Sequence, residues 1–508
     1  MKLRTAWLAV AALASAGPAR AEWLRASSRH FTIYSDTGPE AITTLATRLE
    51  RVDAALRLIS SATDDADAAA NPVTVYVLDG AAAIQKLAKR GGIGGFYLPR
   101  AGGAVAFTPR RGAGDGLDPQ IVLFHEYAHH FLLSNSRVAY PAWLSEGYAE
   151  FVSTAGIDDA NTTIGRAAQH RAGWLWATKD APLAPLLAPT AKATREERDQ
   201  VYPRGWLLTH YLLTDPGGTA KLRAYLLAIN AGTPPLQAAT ESFGDLKELG
   251  RALERHLSKR TLRAFVISNA RLPVAAPVVR PLTPGERALI EDRMVSERGV
   301  DDKEAAAVYA RASKAAAPFP NDAAAQGWLA EMAHDAGRDG EAEAAADRAL
   351  AADPRSVQAL LYKGRVRLRR AAKAADPKAW AEARSWIVKA NRVDTNAAAP
   401  LLLFYDSFAM AGEKPRPAAV AGLHRAFQLA PQDPSLRFKS ARQHLLDGEV
   451  DAAKQALRPL AYSPHAPAGN PAARLLALVE AGGAGPAALD EWEREQKAAA
   501  KAEEPAAR

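Results

Sequence analysis

The sequence predicts an α+β domain, with a small mixed sheet and a helical lobe, followed by an all-α array of repeated helix pairs. Apolar segments of β type are confined to positions 29–107, and helical periodicity dominates afterwards. A cluster of prolines separates the two parts at 271–284. Beyond it, small residues recur at the intervals of a roughly 34-residue helix-pair repeat. A chain of 508 residues is also too long for a single hydrophobic core.

The first elements follow from the spacing of their apolar side chains. Strands are predicted at 29–35, 73–78 and 103–107, which are short runs containing β-branched and aromatic residues. The glycine-rich segment 91–97 separates the last two strands. Residues 40–60 are predicted to form an amphipathic helix, because apolar side chains recur at helical spacing. These side chains are Ile42, Leu45, Leu49, Val52 and Leu56.

The N-terminal 21 residues predict a secretory signal peptide. They combine a basic start at Lys2 and Arg4, a short apolar run at 6–14 and small residues before the expected cleavage point, ahead of Glu22. The protein is therefore expected to be exported, as a periplasmic or secreted protein. No later segment approaches the roughly 20 apolar residues of a membrane-spanning helix. The chain has 0 cysteines, so disulfides are not expected to stabilise the fold.

The small residues of the C-terminal half indicate tetratricopeptide-like repeats. In such a unit, small side chains let two antiparallel helices approach closely, and a proline ends the second helix. Weaker copies lie at 418–431 and 441–460, and an insertion at 371–378 disturbs the copy between them. Four or five helix pairs are predicted between 285 and 465; a generic alanine-rich bundle is the alternative. The clearest copy contains Leu329, Ala330, Gly337, Ala342, Ala346, Ala349 and Pro354.

The charge pattern argues against a nucleic-acid partner. A net charge of +8 is modest at this length, and nucleic-acid binding requires clustered charge. A basic cluster in the repeats lacks interleaved aromatic residues, so a solvated helix face is preferred to an acidic-partner site. This cluster is Lys363, Arg365, Arg367, Arg369, Arg370 and Lys373. The predicted units are a signal peptide (1–21), an α+β domain (22–270), a Pro-rich linker (271–284), helical repeats (285–465) and an Ala/Glu-rich tail (466–508).

A metal site is predicted within the segment 118–133. Asp118 followed by Pro119 is typical of a helix start. In a helix, His125 and His129 lie four residues apart on one face, where both imidazoles can bind one ion. Glu126 then lies beside the ion, where its carboxylate can accept a proton from an activated water.

A third ligand is expected from the segment 141–151. A catalytic zinc site uses three protein ligands, whereas a structural site uses four. In a helix starting near Pro141, Glu146 can face the metal. Glu150 falls on the same side one turn later and is expected to accept a hydrogen bond from a ligand histidine. The alternative is a polar stripe on a surface helix, but the surrounding apolar residues favour burial: Ile121, Val122, Leu123, Phe124, Phe131, Leu132 and Leu133.

HEYAH at 125–129 followed by WLSEGYAE at 143–150 resembles the gluzincin clan of zinc metallopeptidases, in particular the peptidase-MA-like bacterial families. The resemblance implies a thermolysin-like catalytic domain holding one zinc ion through His125, His129 and Glu146, with Glu126 as the general base. The segment 202–208 resembles the Y-x-K-G segment of related aminopeptidases, which implies that Tyr202 donates a hydrogen bond to the oxyanion. A peptide or protein substrate is therefore expected, and the repeats would present it or bind a protein partner.

Two departures from that clan change the expected activity. Only 16 residues separate His129 from Glu146, so the connecting loop is shorter than in thermolysin-like enzymes. The segment 94–107 contains no acidic residue, whereas the aminopeptidases carry a glutamate there that binds the free amino group of the substrate. An endopeptidase is therefore favoured over an aminopeptidase. The alternatives are hydrolysis of another acyl group and a non-enzymatic repeat protein with a relic peptidase domain.

Two further histidines are not assigned to the site. His130 follows the second ligand directly and therefore points away from the ion, so packing or a surface position is expected. His210 lies two turns beyond Tyr202 on a predicted helix. A position in the core or on the surface is preferred for it.

Overall fold

The computed structural model describes residues 22–112, 118–135, 138–189, 193–374, 376–463, 469–482 and 485–503. The predicted signal peptide, 1–21, lies outside the described residues. Among the described helices, none has an apolar stretch that would span a bilayer.

A six-stranded sheet forms the centre of the N-terminal part, with the order β4-β5-β3-β2-β1-β9. The pairs β2–β3 and β3–β5 are parallel, and the other neighbours are antiparallel. A second sheet has the order β6-β7-β8. The strands are β1 (Leu24–Ser27), β2 (Phe31–Ser35), β3 (Val73–Leu78), β4 (Phe96–Leu98), β5 (Val105–Pro109), β6 (Gly156–Ile157), β7 (Asn161–Ile164), β8 (Phe265–Ser268) and β9 (Val278–Pro281).

The three predicted strands are confirmed as β2, β3 and β5, with the ends of β2 and β5 shifted by two residues. The predicted linker at 271–284 is wrong in part, because it contains β9, which pairs with β1 along Leu24 to Ser27. Proline is tolerated at the edge of a sheet, where one side of the strand needs no hydrogen-bond partner. The proline cluster therefore ends helical structure without detaching the chain from the sheet.

Eleven helices accompany these strands within the described residues of the N-terminal part. They are α1 (Pro39–Ser60), α2 (Ala81–Ala88), α3 (Pro119–Asn135), α4 (Ala142–Ser153), α5 (Ala172–Ala177), α6 (Ala184–Leu187), α7 (Arg195–Asp199), α8 (Pro203–Thr214), α9 (Gly218–Asn230), α10 (Pro235–Phe243) and α11 (Leu246–Leu257). Short 3₁₀ turns occur at Gln169–Arg171 and Asn269–Arg271. The predicted helix at 40–60 is confirmed as α1.

Twelve helices follow in sequence as the repeat array, again counting described residues alone. They are α12 (Pro284–Arg298), α13 (Asp302–Ala316), α14 (Ala323–Asp335), α15 (Asp339–Ala352), α16 (Val357–Ala374), α17 (Pro377–Val393), α18 (Ala398–Met410), α19 (Pro417–Leu429), α20 (Pro434–Leu446), α21 (Val450–Ala461), α22 (Pro471–Glu480) and α23 (Gly485–Glu503). Each helix packs on the next one along the chain. The five predicted pairs correspond to α12 through α21.

Small residues set the spacing of these pairs. Ala342 and Ala346 are fully buried, so α15 can approach α14 closely. Gly337 has a φ of 71° in the turn between these helices, and Gly448 has a φ of 76° between α20 and α21. This left-handed conformation favours glycine because it has no Cβ. The small residues that define the repeat in the sequence therefore lie either where two helices touch or in the turns between helices.

The predicted Ala/Glu-rich tail is a continuation of the array in its described residues. Leu475, Leu476 and Val479 of α22 are buried in one cluster with Leu445 of α20 and Leu489 of α23. Their burial supplies the apolar contact that makes a short helix stable in a protein. A sixth helix pair therefore continues the array. The segment 466–508, expected to be a helical or disordered tail, is helical at Pro471–Glu480 and Gly485–Glu503.

The central sheet is covered on both faces. On one face, Ile33 and Val75 belong to a core shared with α1, α3 and α4. On the other, Tyr34, Tyr76 and Phe107 belong to a core that includes Trp328 of α14. The first repeat helices therefore pack directly on the sheet. This shared core fixes the repeat array against the domain that carries the predicted metal site.

The basic cluster of α16 is not a solvated face. Arg367 and Arg370 both pair with Glu343 of α15, and Arg369 pairs with Asp339 at 2.9 Å. Lys363 is only 8% exposed and pairs with Asp347. The prediction of a solvated face holds for Lys373, which is exposed, and is wrong for these four residues, because the neighbouring helix carries a matching row of acids. These cations hold α15 and α16 together.

Candidate metal centre

The helix α3 carries the two predicted histidine ligands. Its first turn is capped by Asp118, whose carboxylate accepts the backbone N–H of Gln120 at 2.9 Å. Pro119 is the first helical residue, as predicted. Three buried side chains of α3, Phe124, Tyr127 and Phe131, face the core. His125 and His129 consequently lie together on another face, toward α4.

The helix α4 places Glu146 opposite these histidines. The Nε2 atoms of His125 and His129 are 3.2 Å apart, and the Oε2 atom of Glu146 lies 3.4 and 3.5 Å from them. Zinc bound tetrahedrally at about 2.0 to 2.1 Å requires its ligand atoms to lie about 3.4 Å apart. The three atoms therefore form a triangle of the size that one zinc ion requires.

The chemistry of this metal triad, His125, His129 and Glu146, also fits a cation. Glu146 is 1% exposed, so its carboxylate is removed from water. Burial lowers the pKa of His125, but hydrogen bonds to Glu146 and Glu150 outweigh burial and raise it to about 10. The carboxylates thus favour positive charge at the imidazole, which a proton or a metal ion can supply. Two nitrogen ligands and one carboxylate are a common set for catalytic zinc.

Glu150 orients His125 from the side away from the triad. Its Oε1 atom lies 3.4 Å from Nδ1 of His125, while His170 and Arg171 contact the same carboxylate at 2.7 and 2.5 Å. Burial favours the neutral acid, but these hydrogen bonds outweigh burial and lower the pKa of Glu150. A fixed carboxylate at Nδ1 leaves Nε2 available for a metal.

His170 and Arg171 are functional candidates that sequence reasoning missed. They lie in the 3₁₀ turn Gln169–Arg171, 20 and 21 residues beyond Glu150. The guanidinium of Arg171 also lies 5.2 Å from the ring centroid of Tyr202. No local motif marks the turn, because its role depends on the fold bringing it back to α4.

Tyr202 lies next to the metal triad, at the N-terminal end of α8. Its ring centroid is 6.2 Å from that of His125. Burial, together with the negative charge of Glu146, raises the pKa of Tyr202 to about 12. The phenol therefore stays protonated at neutral pH and can donate a hydrogen bond.

Two glycines allow α4 and α8 to cross this closely. A Cβ atom at Gly147 would clash with the carbonyl oxygen of Gly205, and one at Gly205 would clash with the carbonyl oxygen of Trp143. Backbone atoms cannot move aside as a flexible side chain can. The glycine that follows Glu146 is thus a packing requirement that brings Tyr202 toward the triad.

Glu126 is half-buried on α3, directly after His125. His130 instead faces away from the triad, where its Nδ1 is 2.7 Å from the hydroxyl of Tyr97 and its ring stacks on Tyr127. His210 is fully buried and its Nδ1 lies 2.9 Å from Nε2 of His256. The expected packing position of His130 and core position of His210 are confirmed.

A second cluster of potential metal ligands, His30, Glu50 and Asp53, lies behind α3. Its polar atoms already have protein partners. Nδ1 of His30 is 2.8 Å from Glu50, while Asp53 accepts from Arg57 at 2.7 Å and from the hydroxyl of Tyr127 at 2.5 Å. A guanidinium in the cluster disfavours a second cation. The cluster therefore links β2, α1 and α3 structurally.

Comparisons with known proteins add little to this geometry. Neither a family model nor a curated relative matches the chain. Among solved structures, the chain is similar to a thermophilic tetratricopeptide-repeat protein of Thermus thermophilus, with 23% identity, a TM-score of 0.31 and coverage of 36% of this chain and 92% of that one. At this identity and TM-score, the likeness carries no argument about function.

Proposed function

We propose that this chain is an exported zinc-dependent peptidase of the gluzincin type. The observation that carries the proposal is the triangle of His125, His129 and Glu146, whose ligand atoms are 3.2 to 3.5 Å apart. Glu126 follows His125 directly on α3, and Tyr202 lies at the start of α8 with its ring centroid 6.2 Å from that of His125. The set contains each role that hydrolysis of an amide requires: a metal site, a base and an oxyanion donor.

Each side chain has a distinct task in the proposed reaction. His125, His129 and Glu146 hold the zinc ion, and Glu150 fixes the orientation of His125. When bound, zinc polarises the scissile carbonyl and lowers the pKa of a water molecule. Glu126 accepts the proton of the attacking water and passes it to the leaving amine. The phenol of Tyr202 donates a hydrogen bond to the oxygen that becomes negative in the transition state.

The edge strand β4 favours an endopeptidase within this proposal. It lies at the end of the central sheet and contacts α3. An extended peptide can pair with a free strand edge through its main chain, so neither terminus of the substrate is needed. Phe96–Leu98 and Val105–Pro109 contain no acid that could bind a free amino group. Peptides with an acetylated N-terminus should therefore be cleaved at least as well as peptides with a free one.

The decisive experiment compares wild type with Glu126→Gln, using a metal assay and a cleavage profile on proteome-derived peptides. The variant should retain one zinc ion per chain, because Glu126 is not a ligand, and should lose turnover by a factor of about 10² to 10⁴. Turnover by a zinc-loaded Glu126→Gln protein at the wild-type rate would refute the assignment of the base. If wild type binds no zinc and cleaves nothing, the alternative, an interaction protein built on the repeats, replaces this proposal.

A further inference from the structure

A cavity of about 590 Å³ lies between the N-terminal part and the repeat array. One wall is the face of α3 opposite the metal triad, with Tyr127, His130 and Asn135, and the other is formed by α19, α20 and α21. Sites for small ligands commonly have volumes of about 300 to 1,000 Å³. The cavity therefore has room for a small molecule, and it is separate from the proposed catalytic site.

Arg437 of α20 lines this cavity and is only 3% exposed. Its Nε and Nη2 atoms donate to the carbonyl oxygens of Pro431 and Leu133, at distances of 2.8 to 3.2 Å. Leu133 belongs to the last turn of α3, so the guanidinium also interacts with the carbonyl end of that helix. Nη1 has no hydrogen-bond partner among the described residues.

No carboxylate pairs with Arg437 within the described part of the chain; its guanidinium lies 5.1 Å from the ring centroid of Phe427. Burial lowers the pKa of Arg437 to about 10, and no carboxylate acts against burial. A buried arginine is normally paired with an acid, since an isolated buried charge is costly. The guanidinium is therefore ready to bind an anion.

Gln432 provides a second unused donor on the same wall. This residue lines the cavity and is 2% exposed, and its amide Nε2 has no hydrogen-bond partner among the described residues. A buried donor without a partner costs free energy of about 1 to 3 kcal/mol. Gln432 therefore adds a buried polar side chain to the wall that carries Arg437.

The other charged groups that line the cavity have partners. Asp67 pairs with Arg425, and Asp65 accepts the backbone N–H groups of Asp67 and Ala68. His424 stacks on His444. Burial lowers the pKa of His424, which favours its neutral imidazole. The remaining pairs are Arg57 with Asp53, His30 with Glu50 and His444 with Glu449. Arg437 is therefore the cation left for a ligand.

We propose that this interdomain cavity binds a monocarboxylate, either a small organic acid or the C-terminal end of a short peptide, through Nη1 of Arg437, with Gln432 on the same wall. A carboxylate oxygen accepts a charge-assisted hydrogen bond from a guanidinium, which is stronger than a hydrogen bond between neutral groups. Its single negative charge matches the single uncompensated guanidinium. A doubly charged phosphate would leave one negative charge without a matching cation, so a carboxylate fits better.

The test is calorimetric titration of the full chain with N-acetyl-dialanine, its C-terminal amide and lactate. Saturable binding of N-acetyl-dialanine supports the site and indicates a peptide end, whereas binding of lactate alone supports it and indicates a small acid. The amide should not bind, because it lacks the charge. Equal binding of the amide, or no saturable binding of either carboxylate, would overturn the proposal.

Two variants locate the binding. Arg437→Gln should weaken the affinity by about 10- to 100-fold, since a charge-assisted hydrogen bond is lost. Because Arg437→Gln also removes the contacts to Leu133, it can impair folding, and a second variant is needed. Gln432→Glu keeps the shape of the side chain, and its negative charge repels a bound anion. Gln237→Glu adds the same charge at an exposed position of α10 and should bind like wild type. Unchanged affinity in Gln432→Glu would refute the site even if Arg437→Gln does not fold.

Discussion

The candidate metal centre and the repeat array both bury charged side chains, but the buried charges have different kinds of partner in the two regions. In the array, opposite charges meet: Arg293 pairs with Glu331 and with Glu297, and Lys363 pairs with Asp347. In the metal centre, Glu146 and Glu150 are each 1% exposed and face histidines. Arg171 pairs with Glu150. These ion pairs of the array are neutralised within the chain, whereas the carboxylates beside His125 favour positive charge at its imidazole.

This difference shows how a binding site can be separated from a structural network. A buried ion pair costs desolvation energy that its own partner offsets. A buried carboxylate that faces imidazoles is stabilised further when positive charge is added beside it. The cavity beside Arg437 has the opposite imbalance and favours an anion. The sign of the charge that the buried groups favour therefore indicates the class of ligand.

Removing Glu146 should have the largest effect, because this carboxylate is a proposed ligand. We expect Glu146→Ala to reduce zinc content from one ion per chain to near zero and to reduce peptide turnover to background. Metal analysis after dialysis against a weak chelator measures the first effect, and a fluorogenic peptide assay measures the second.

The matched control is Glu343→Ala in α15. Glu343 is also buried in large part, with 13% side-chain exposure, but it pairs with Arg367 and Arg370. This variant should lose stability, because two cations lose their partner, and should keep its zinc. If Glu343→Ala lost zinc to the same extent as Glu146→Ala, the contrast between the two regions would fail.

Glu150→Gln should have an intermediate effect. The amide keeps the shape of the side chain but loses the charge that holds His170, Arg171 and the proposed ligand His125. Loss of such a supporting contact typically weakens metal affinity by about 10- to 100-fold. Competition with a chromogenic chelator measures the affinity. An unchanged affinity would show that Glu150 serves packing alone.

Gly147→Ala should change the zinc content least of these variants, but it should clearly lower the free energy of unfolding. Its methyl group would clash with the backbone of α8, so we expect a loss of about 1 to 3 kcal/mol in the free energy of unfolding. Turnover should also fall, because α8 carries Tyr202. Denaturant unfolding and steady-state kinetics measure the two effects.

Gly340→Ala in the array is the control for this substitution. Nothing lies within 4 Å of a Cβ atom built at Gly340, which is exposed in α15. We expect a change within about 1 kcal/mol, because alanine is the better helix former. Equal losses in both variants would mean that the crossing of α4 and α8 is not unusually tight.

Particular residues show how far the sequence could predict this structure. The helix start at Asp118 and the strand at 73–78 follow from local preferences, and both are present. The strands β1, β4 and β6 contain two to four residues, too few for a periodic pattern, and are stabilised by their neighbours in the sheets. The strand β9 is not predicted from the sequence, because it lies among prolines and local rules assign such a segment to a linker.

The sequence by itself determined that the metal triad could form. His125 and His129 are four residues apart, so they lie on one face of their helix. Glu146 and Glu150 have the same spacing and likewise share one face of their helix. Only the tertiary structure decided the rest. Three features join residues that are far apart in the chain. They are the contact of α4 with α8 through Gly147 and Gly205, the return of the Gln169–Arg171 turn to Glu150, and the cavity beside Arg437. Their proximity depends on packing, which no local pattern encodes.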